Sequence, residues 1–358
     1  MVICVVNASR VLQFFTEPVM AAFGCYCVIC LVSAVYSPVP LVSGSAAFGM
    51  IAYLGFACVI ISEIPQRQWL LVLVWTFAAF SVVNLISGVV IPNVAYFQVD
   101  PVASPTDLRF QGISGHPNAL GRIATVFAML VLVAAWRGFM RPILWVPMCM
   151  LAIGTTLLTQ SRTSIFALVL AVFLQIPRRY LIPSVSLAVV CGAFILLTGQ
   201  VDDVLSLVGR DGSADEALSM SGRADLWHFT WNLILDHPVT GYGFNSFESF
   251  AGTLWEGQSA SSVATHNNYL SVLYSTGVVG TIPFLAGFAL LLYRWRVEPD
   301  APRDLFVINA ILSGFSEIDV LSAIAPVPTL VFFLVIASDA WQRVPAASKK
   351  LMEARQWL

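Results

Sequence analysis

Ten stretches of this chain, near 19–36, 44–62, 69–91, 119–136, 142–159, 163–176, 181–198, 268–293, 304–317 and 325–341, are almost wholly apolar. A helix needs about 20 such residues to cross a hydrocarbon core, and in lipid only segments whose backbone groups are satisfied internally survive. With 58% hydrophobic residues and 11% charged ones, the chain is not a soluble domain. It reads as one all-α integral-membrane domain over residues 1–358, with about ten transmembrane helices. The sixth and ninth stretches are short. Because Arg303 and Arg343 belong on one side, 304–317 and 325–341 read as two short tilted spans or one re-entrant hairpin.

Alternating the loops places thirteen basic residues on one side: Arg10, Arg67, Arg137, Arg141, Arg178, Arg179, Arg294, Arg296, Arg303, Arg343, Lys349, Lys350 and Arg355. The positive-inside rule makes that side the cytoplasm, with both termini on it. Five arginines remain opposite, Arg109, Arg122, Arg162, Arg210 and Arg223. Topology gives no reason for them. The start, Met1 to Phe15, has no signal-peptide pattern, so no cleavage is expected. Cysteines fall in or near apolar segments, and Cys25, Cys27 and Cys30 read as packed helix residues rather than metal ligands.

Two outer segments are long enough to carry function, the loop 92–118 and the large loop 199–265. The second is acidic, so it is no polybasic lipid-binding arm. Within it Leu226, Trp227, Trp231, Ile234 and Leu235 recur at helical spacing. This predicts an amphipathic helix from an N-cap at Ser221 to the stop at Asp236-His237-Pro238, lying on the membrane surface or packed over the spans. Arg223 falls in its first turn, where its charge opposes the helix macrodipole, so an anion is expected nearby. Gly241-Tyr242-Gly243 follows as a turn, too short to be a nucleotide fingerprint.

Three polar clusters share the outer ends of spans. Thr265-His266-Asn267-Asn268 opens the eighth. Gly115-His116-Pro117-Asn118 opens the fourth, with Pro117 suited to the first helical position and Arg122 one turn inside. Ser161-Arg162-Thr163-Ser164 forms the turn between the fifth and sixth. An arginine at bilayer depth costs about 2.5–3.5 kcal/mol on insertion scales, so Arg122 and Arg162 are expected to face a polar cavity or an anion. Snorkelling accounts for one such residue more easily than for a cluster. Guanidinium forks match phosphate oxygens bidentately and stay charged, which fits a diphosphate-bearing lipid. His266 could take a proton from a hydroxyl; His116, His228 or Asp225 could do so if the loop folds differently. There is no D-x-D or H-E-x-x-H motif, so neither metal nor other cofactor is expected.

The order Gly115-His116-Pro117-Asn118, Ser161-Arg162, Ser221-Gly222-Arg223 with Trp227, Pro238, Gly241-Tyr242-Gly243, then His266-Asn267-Asn268-Tyr269-Leu270 and Gly277 resembles the core of the O-antigen ligase and polymerase family over roughly 112–283. The resemblance implies a C-type glycosyltransferase-like membrane enzyme of the bacterial inner membrane, using an undecaprenyl-diphosphate-linked oligosaccharide at the periplasmic face. It implies that Arg162 and Arg223 hold the diphosphate, to which the reading of the residues adds Arg122, and that His266 activates the acceptor hydroxyl. His116, Asn118, Ser161, Asn267, Asn268 and Tyr242 support them. Such transfer inverts the anomeric carbon without a metal. Family members have about twelve spans against ten here, the difference falling before Met20, so the start is truncated or the form compact. The acidic loop offers no basic footprint for phosphorylated lipid A-core, which favours polymerisation of O-antigen or exopolysaccharide repeats over ligation. A transporter or flippase of the lipid-linked sugar is the alternative outside enzymes, but midplane acids and internal repeats are missing from the sequence. Expected partners are the lipid-linked donor, a glycan or lipid A-core acceptor, membrane lipid and polysaccharide-assembly proteins, with no nucleic acid.

Overall fold

A computed structural model describes residues 8–100, 104–175, 223–255, 264–318, 320–322 and 326–344. The expected span 181–198, Arg210 and the N-cap Ser221 lie outside the described residues. The chain is helical: α1 Ala8–Phe14, α2 Pro18–Val32, α3 Pro40–Glu63, α4 Gln66–Val90, then a hairpin of strands β1 Tyr96–Asp100 and β2 Ser104–Phe110. There follow α5 Pro117–Trp136, α6 Pro142–Leu158, α7 Arg162–Phe173, α8 Arg223–Asp236, α9 Asn268–Val297, α10 Ala301–Ser313 and α11 Pro326–Arg343. Prolines open α2, α3, α5, α6 and α11, where the fixed φ suits a helix start and the missing N–H costs nothing. Segments Pro18–Val35, Pro40–Glu63, Gln66–Val90, Pro117–Trp136 and Asn268–Val297 are long and apolar enough to cross a membrane, and α6 and α7 are shorter apolar helices.

In the bundle α2 packs on α3 and α9, α11 on α3, α4 and α6 on α5, and α7 on α10. The centre is aromatic: Phe23 of α2 meets Phe288 of α9 and Phe332 of α11 edge-on. Gly287 permits this, because a Cβ there would stand 2.6 Å from the Phe23 ring. At the far ends of α9, α10 and α11 one carboxylate gathers three cations. Asp339 pairs with Arg294 at 2.6 Å, Arg303 at 3.1 Å and Arg343 at 3.3 Å. Arg303 and Arg343 therefore do share one end, as the charge pattern requires. At about 1.5 Å per residue the thirteen residues of α10 reach only about 20 Å, short of a full crossing. Its C-terminal continuation, Gly314 to Ile318, turns back inside the protein with Gly314, Glu317 and Ile318 buried.

The hairpin is a departure from the expected all-α chain. Tyr96 pairs with Phe110 and Phe97 with Arg109 in antiparallel register. Phe110 is buried with Ala95 and Leu120, which seats the hairpin on the mouth of α5.

The longest helix, α9, is broken at Gly277, where φ is 58° and ψ is −161°. A break frees backbone groups that lipid cannot satisfy, and the segment Pro238–Gly243 takes them up. Tyr242 N and Gly243 N donate to the carbonyls of Tyr274 and Ser275, each at 2.8 Å. Val278 N and Val279 N donate to Pro238 O and Val239 O. Such an approach demands glycine: a Cβ on Gly241 would stand 2.4 Å from Tyr274 O, and one on Gly277 2.2 Å from Val239 O. The Gly241-Tyr242-Gly243 motif thus works through its backbone, while the Tyr242 ring stacks on Tyr274 at 5.0 Å. Gly277→Ala combines this overlap with positive φ and is expected to destabilise by about 2 kcal/mol or more. Gly49→Ala, with nothing within 4 Å of the new Cβ, is expected to raise stability slightly. Thermal unfolding of both variants in detergent checks the contrast.

Candidate functional site

The starts of α5, α8 and α9 and the end of α10 meet around Glu317. The sequence sets these starts locally. Asn267 caps α9, its Oδ1 accepting from Tyr269 N and Leu270 N at 3.0 Å. His116 caps α5, its Nδ1 accepting from Asn118 N at 3.1 Å. Each helix N-terminus brings unsatisfied N–H groups and the positive end of a dipole toward the same place.

Glu317 is 3% exposed and takes donors from four directions. Its Oε1 accepts from Asn118 Nδ2 and Arg223 Nη2, both at 2.9 Å. Its Oε2 faces His266 Nδ1 at 3.5 Å and Arg122 Nη1 at 3.7 Å. Burial pushes its pKa up, but the His266 hydrogen bond and the charges of Arg122 and Arg223 outweigh this and bring it from 4.5 down to about 2. The anion that Arg223 requires is therefore a side chain of this protein. Glu317, at the end of the short stretch 304–317, had no role in the sequence reading. The signal was an acid in a short segment between Gly314 and Ile318, on a chain whose outer arginines lacked a counter-ion.

The backbone beside Glu317 is held as firmly. Gly314 O accepts from Asn268 N at 2.8 Å, Phe315 O from Asn267 Nδ2 at 3.1 Å, Ser316 O from Arg223 Nη1, and Ile318 O from Arg122 Nη1 at 2.6 Å. Asn268 is buried beside Gly314. A second arm runs to the hairpin: buried Arg109 donates to Asn118 Oδ1 at 2.8 Å and, from both Nε and Nη2, to Thr159 O. These contacts fix the Asn118 carboxamide, oxygen toward Arg109 and nitrogen toward Glu317. Sequence reading listed Arg109 among the outer arginines without a role; here it ties β2 to α5 and to the turn after α6.

Ser161 is buried against Gly121, where an added Cβ would lie 2.7 Å from its own Cβ. It shares a hydrogen bond with Ser164 at 2.9 Å. Arg162 follows as the first residue of α7 and is exposed. The structure thus brings Arg122, Arg223, His266, Asn118, Asn267 and Asn268 together on the 314–318 segment, with Ser161 and Arg162 one helix away. His116 stands at the edge, its ring 5.6 Å from that of Phe97. Burial lowers its pKa; Glu317 opposes this, while Arg109, His266 and Arg122 add to it, and the result is about 4. Tyr242 sits in the aromatic cluster with His237, Phe250 and Tyr274. His228 and Asp225 are exposed on α8.

Above the site α8 is amphipathic as expected. Leu226 and Ile234 are buried with Phe247 and Tyr274, and Trp227 Nε1 donates to Thr265 O at 2.8 Å. Trp231 and Leu235 stay exposed at 47% and 59%. A largely apolar cleft of about 230 Å³ runs between α4, α5 and α11, walled by Phe77, Phe80, Ile123 and Leu330 among others. Ile123 adjoins Arg122. Charge and grease are thus one residue apart on α5.

Since the folded pKa of Glu317 lies below its ordinary value of 4.5, the carboxylate stabilises the fold at neutral pH, on the order of 3 kcal/mol. That contribution is lost as pH falls from about 4.5 toward 2. Unfolding temperatures across this window are expected to drop more steeply for the wild type than for Glu317→Gln.

Compared with known families, residues 147–285 match a model described as O-antigen ligase. A search of curated proteins found no match. The matched span holds Ser161, Arg162, Arg223, Tyr242, His266, Asn267 and Asn268, whereas Asn118, Arg122 and Glu317 come from outside it. The chain thus combines several described helices long and apolar enough to span a membrane with a stretch, residues 147–285, that is similar to the O-antigen ligase family.

Proposed function

We propose that this protein is a membrane glycosyltransferase that takes an undecaprenyl-diphosphate-linked glycan as donor at the periplasmic face of the bacterial inner membrane and polymerises repeat units of an O-antigen or exopolysaccharide. The observation that carries the reading is the convergence of Arg122, Arg223 and His266 on one anionic point, Glu317 Oε1 and Oε2. A diphosphate brings charge of the same sign, two negative phosphoryl groups where the carboxylate has one charge, and acceptor oxygens that suit those forks. Arg162, exposed at the start of α7, reaches it from the neighbouring helix, and the cleft beside Ile123 takes the first part of the prenyl tail.

In this mechanism an acceptor hydroxyl gives its proton to His266 while its oxygen attacks the anomeric carbon. The bond from that carbon to the diphosphate breaks, and the leaving oxygens gain charge facing the guanidiniums. Configuration inverts. The arginines supply the positive charge at the leaving group, so the step uses neither metal nor nucleotide cofactor.

Ligation to lipid A-core is the second reading, favoured by the description of the matched family model as O-antigen ligase. The two differ in acceptor, not in the groups that hold the donor. A flippase reading gains one feature that the sequence hid, an acid buried inside the bundle. Glu317 is nonetheless a poor proton carrier, because the cations around it hold its pKa near 2.

Purified protein in liposomes with its lipid-linked repeat unit tests these readings. A ladder of longer lipid-linked glycans without added acceptor means polymerase, and product only with lipid A-core means ligase. His266→Ala is expected to cut transfer by about 100-fold or more while the protein stays folded; normal product from it sinks the assignment. Arg223→Lys replaces a fork by a point charge and is expected to weaken donor affinity by about 10-fold.

A further inference from the structure

We propose that Glu317 is a positioning residue for His266, accepting the Nδ1–H of the imidazole on Oε2 and so presenting Nε2, unprotonated, to the acceptor hydroxyl. This rests on the reading above that His266 takes the hydroxyl proton, and it names the group that makes His266 able to do so. An ionised carboxylate has no proton to give, so the nitrogen facing it must be the donor. Oε1 is already filled by Asn118 Nδ2 and Arg223 Nη2. Oε2 faces His266 Nδ1 at 3.5 Å, with Arg122 Nη1 further off at 3.7 Å, and the imidazole contact is of the length that shortens when substrate closes a site.

The backbone of His266 supports the assignment. Its φ of 45° lies in the left-handed region, which strains a residue with a side chain and persists only where the surroundings impose it. The flanking residues do impose it. Thr265 O accepts from Trp227 Nε1, Thr265 Oγ1 donates to Asn267 O, and Asn267 caps α9. The ring is thereby aimed at the 314–318 segment rather than left to swing. His116 provides an internal contrast: its Nδ1 accepts from Asn118 N, so its proton resides on Nε2. Two of the four histidines are thus set by their neighbours to opposite tautomers.

The test reads the tautomer itself. Protein labelled with ¹⁵N-histidine is examined by NMR at neutral pH in lipid nanodiscs, the His266 signals being those lost in His266→Ala. Wild type is expected to show Nδ1–H at His266. In Glu317→Gln the carboxamide oxygen stays with the donors Arg223 and Asn118, and its NH₂ then faces Nδ1. His266 is expected to switch to the Nε2–H tautomer, and kcat for transfer to fall by at least about 10-fold with donor KM unchanged or lower.

An unaltered tautomer in Glu317→Gln, or wild-type kcat in that folded variant, overturns the proposal. Should Glu317→Gln fail to fold, an Nε2–H tautomer at His266 in the wild type overturns it and Nδ1–H supports it. The tautomer needs no turnover to be seen. A switch without any transfer in the wild type therefore sinks glycosyl transfer and leaves the pairing intact, while His266-dependent transfer with Nε2–H does the reverse.

Discussion

An ionised carboxylate removed from water must be surrounded by donors or it will not stay ionised. Glu317 meets that requirement with Asn118 from α5, Arg122 one turn further along the same helix, Arg223 from α8 and His266 from the turn before α9. Those donors lie up to 199 residues from Glu317 in sequence. Their meeting fixes how the helix starts are arranged at this end of the bundle. Arg109 extends the same network outward to the hairpin and to Thr159. The opposite end is built alike, with Asp339 collecting Arg294, Arg303 and Arg343. α10 and α11 are thus pinned by ion pairs at one end and lead into the Glu317 segment at the other.

Backbone satisfaction is the second constraint. The break at Gly277 is tolerable because Pro238 to Gly243 lies against it and pairs what the helix leaves open. That docking also sets where α8 ends and so, through the fourteen-residue length of the helix, where Arg223 at its start lies. A motif that looks like a ligand loop in sequence thereby acts at a distance on the charge cluster, through helix length.

Much of this was legible before any coordinates. The starts of α5 at Pro117 and α9 at Asn268 follow from proline and cap chemistry, and the burial of Leu226 and Ile234 on α8 follows from its periodicity. The unexplained arginines were the right clue, since Arg109, Arg122 and Arg223 all enter one network. The rest was hidden for physical reasons. The hairpin at 96–110 is short, and its pairing depends on Phe110 finding a seat beside Leu120. Glu317 owes everything to partners distant in sequence. Alone between two short apolar helices it looks like a loop acid, so its burial does not show in the sequence. The tautomers of His116 and His266 are likewise properties of neighbours, not of the residue type.

The carbonyls of Gly314, Phe315, Ser316 and Ile318 are each taken by a different donor, from Asn268, Asn267, Arg223 and Arg122. Such a ribbon is read by its spacing rather than by its side chains. Phe315 is exposed at 58%, so its identity is open to change at little cost to these bonds. Adding or deleting one residue would displace every carbonyl from its donor at once and carry Glu317 out of register with all of its partners. Evolution of this segment should therefore be free in letters at Phe315, fixed at Glu317 and frozen in length, and an alignment gap here would mark a chain that has given up the site.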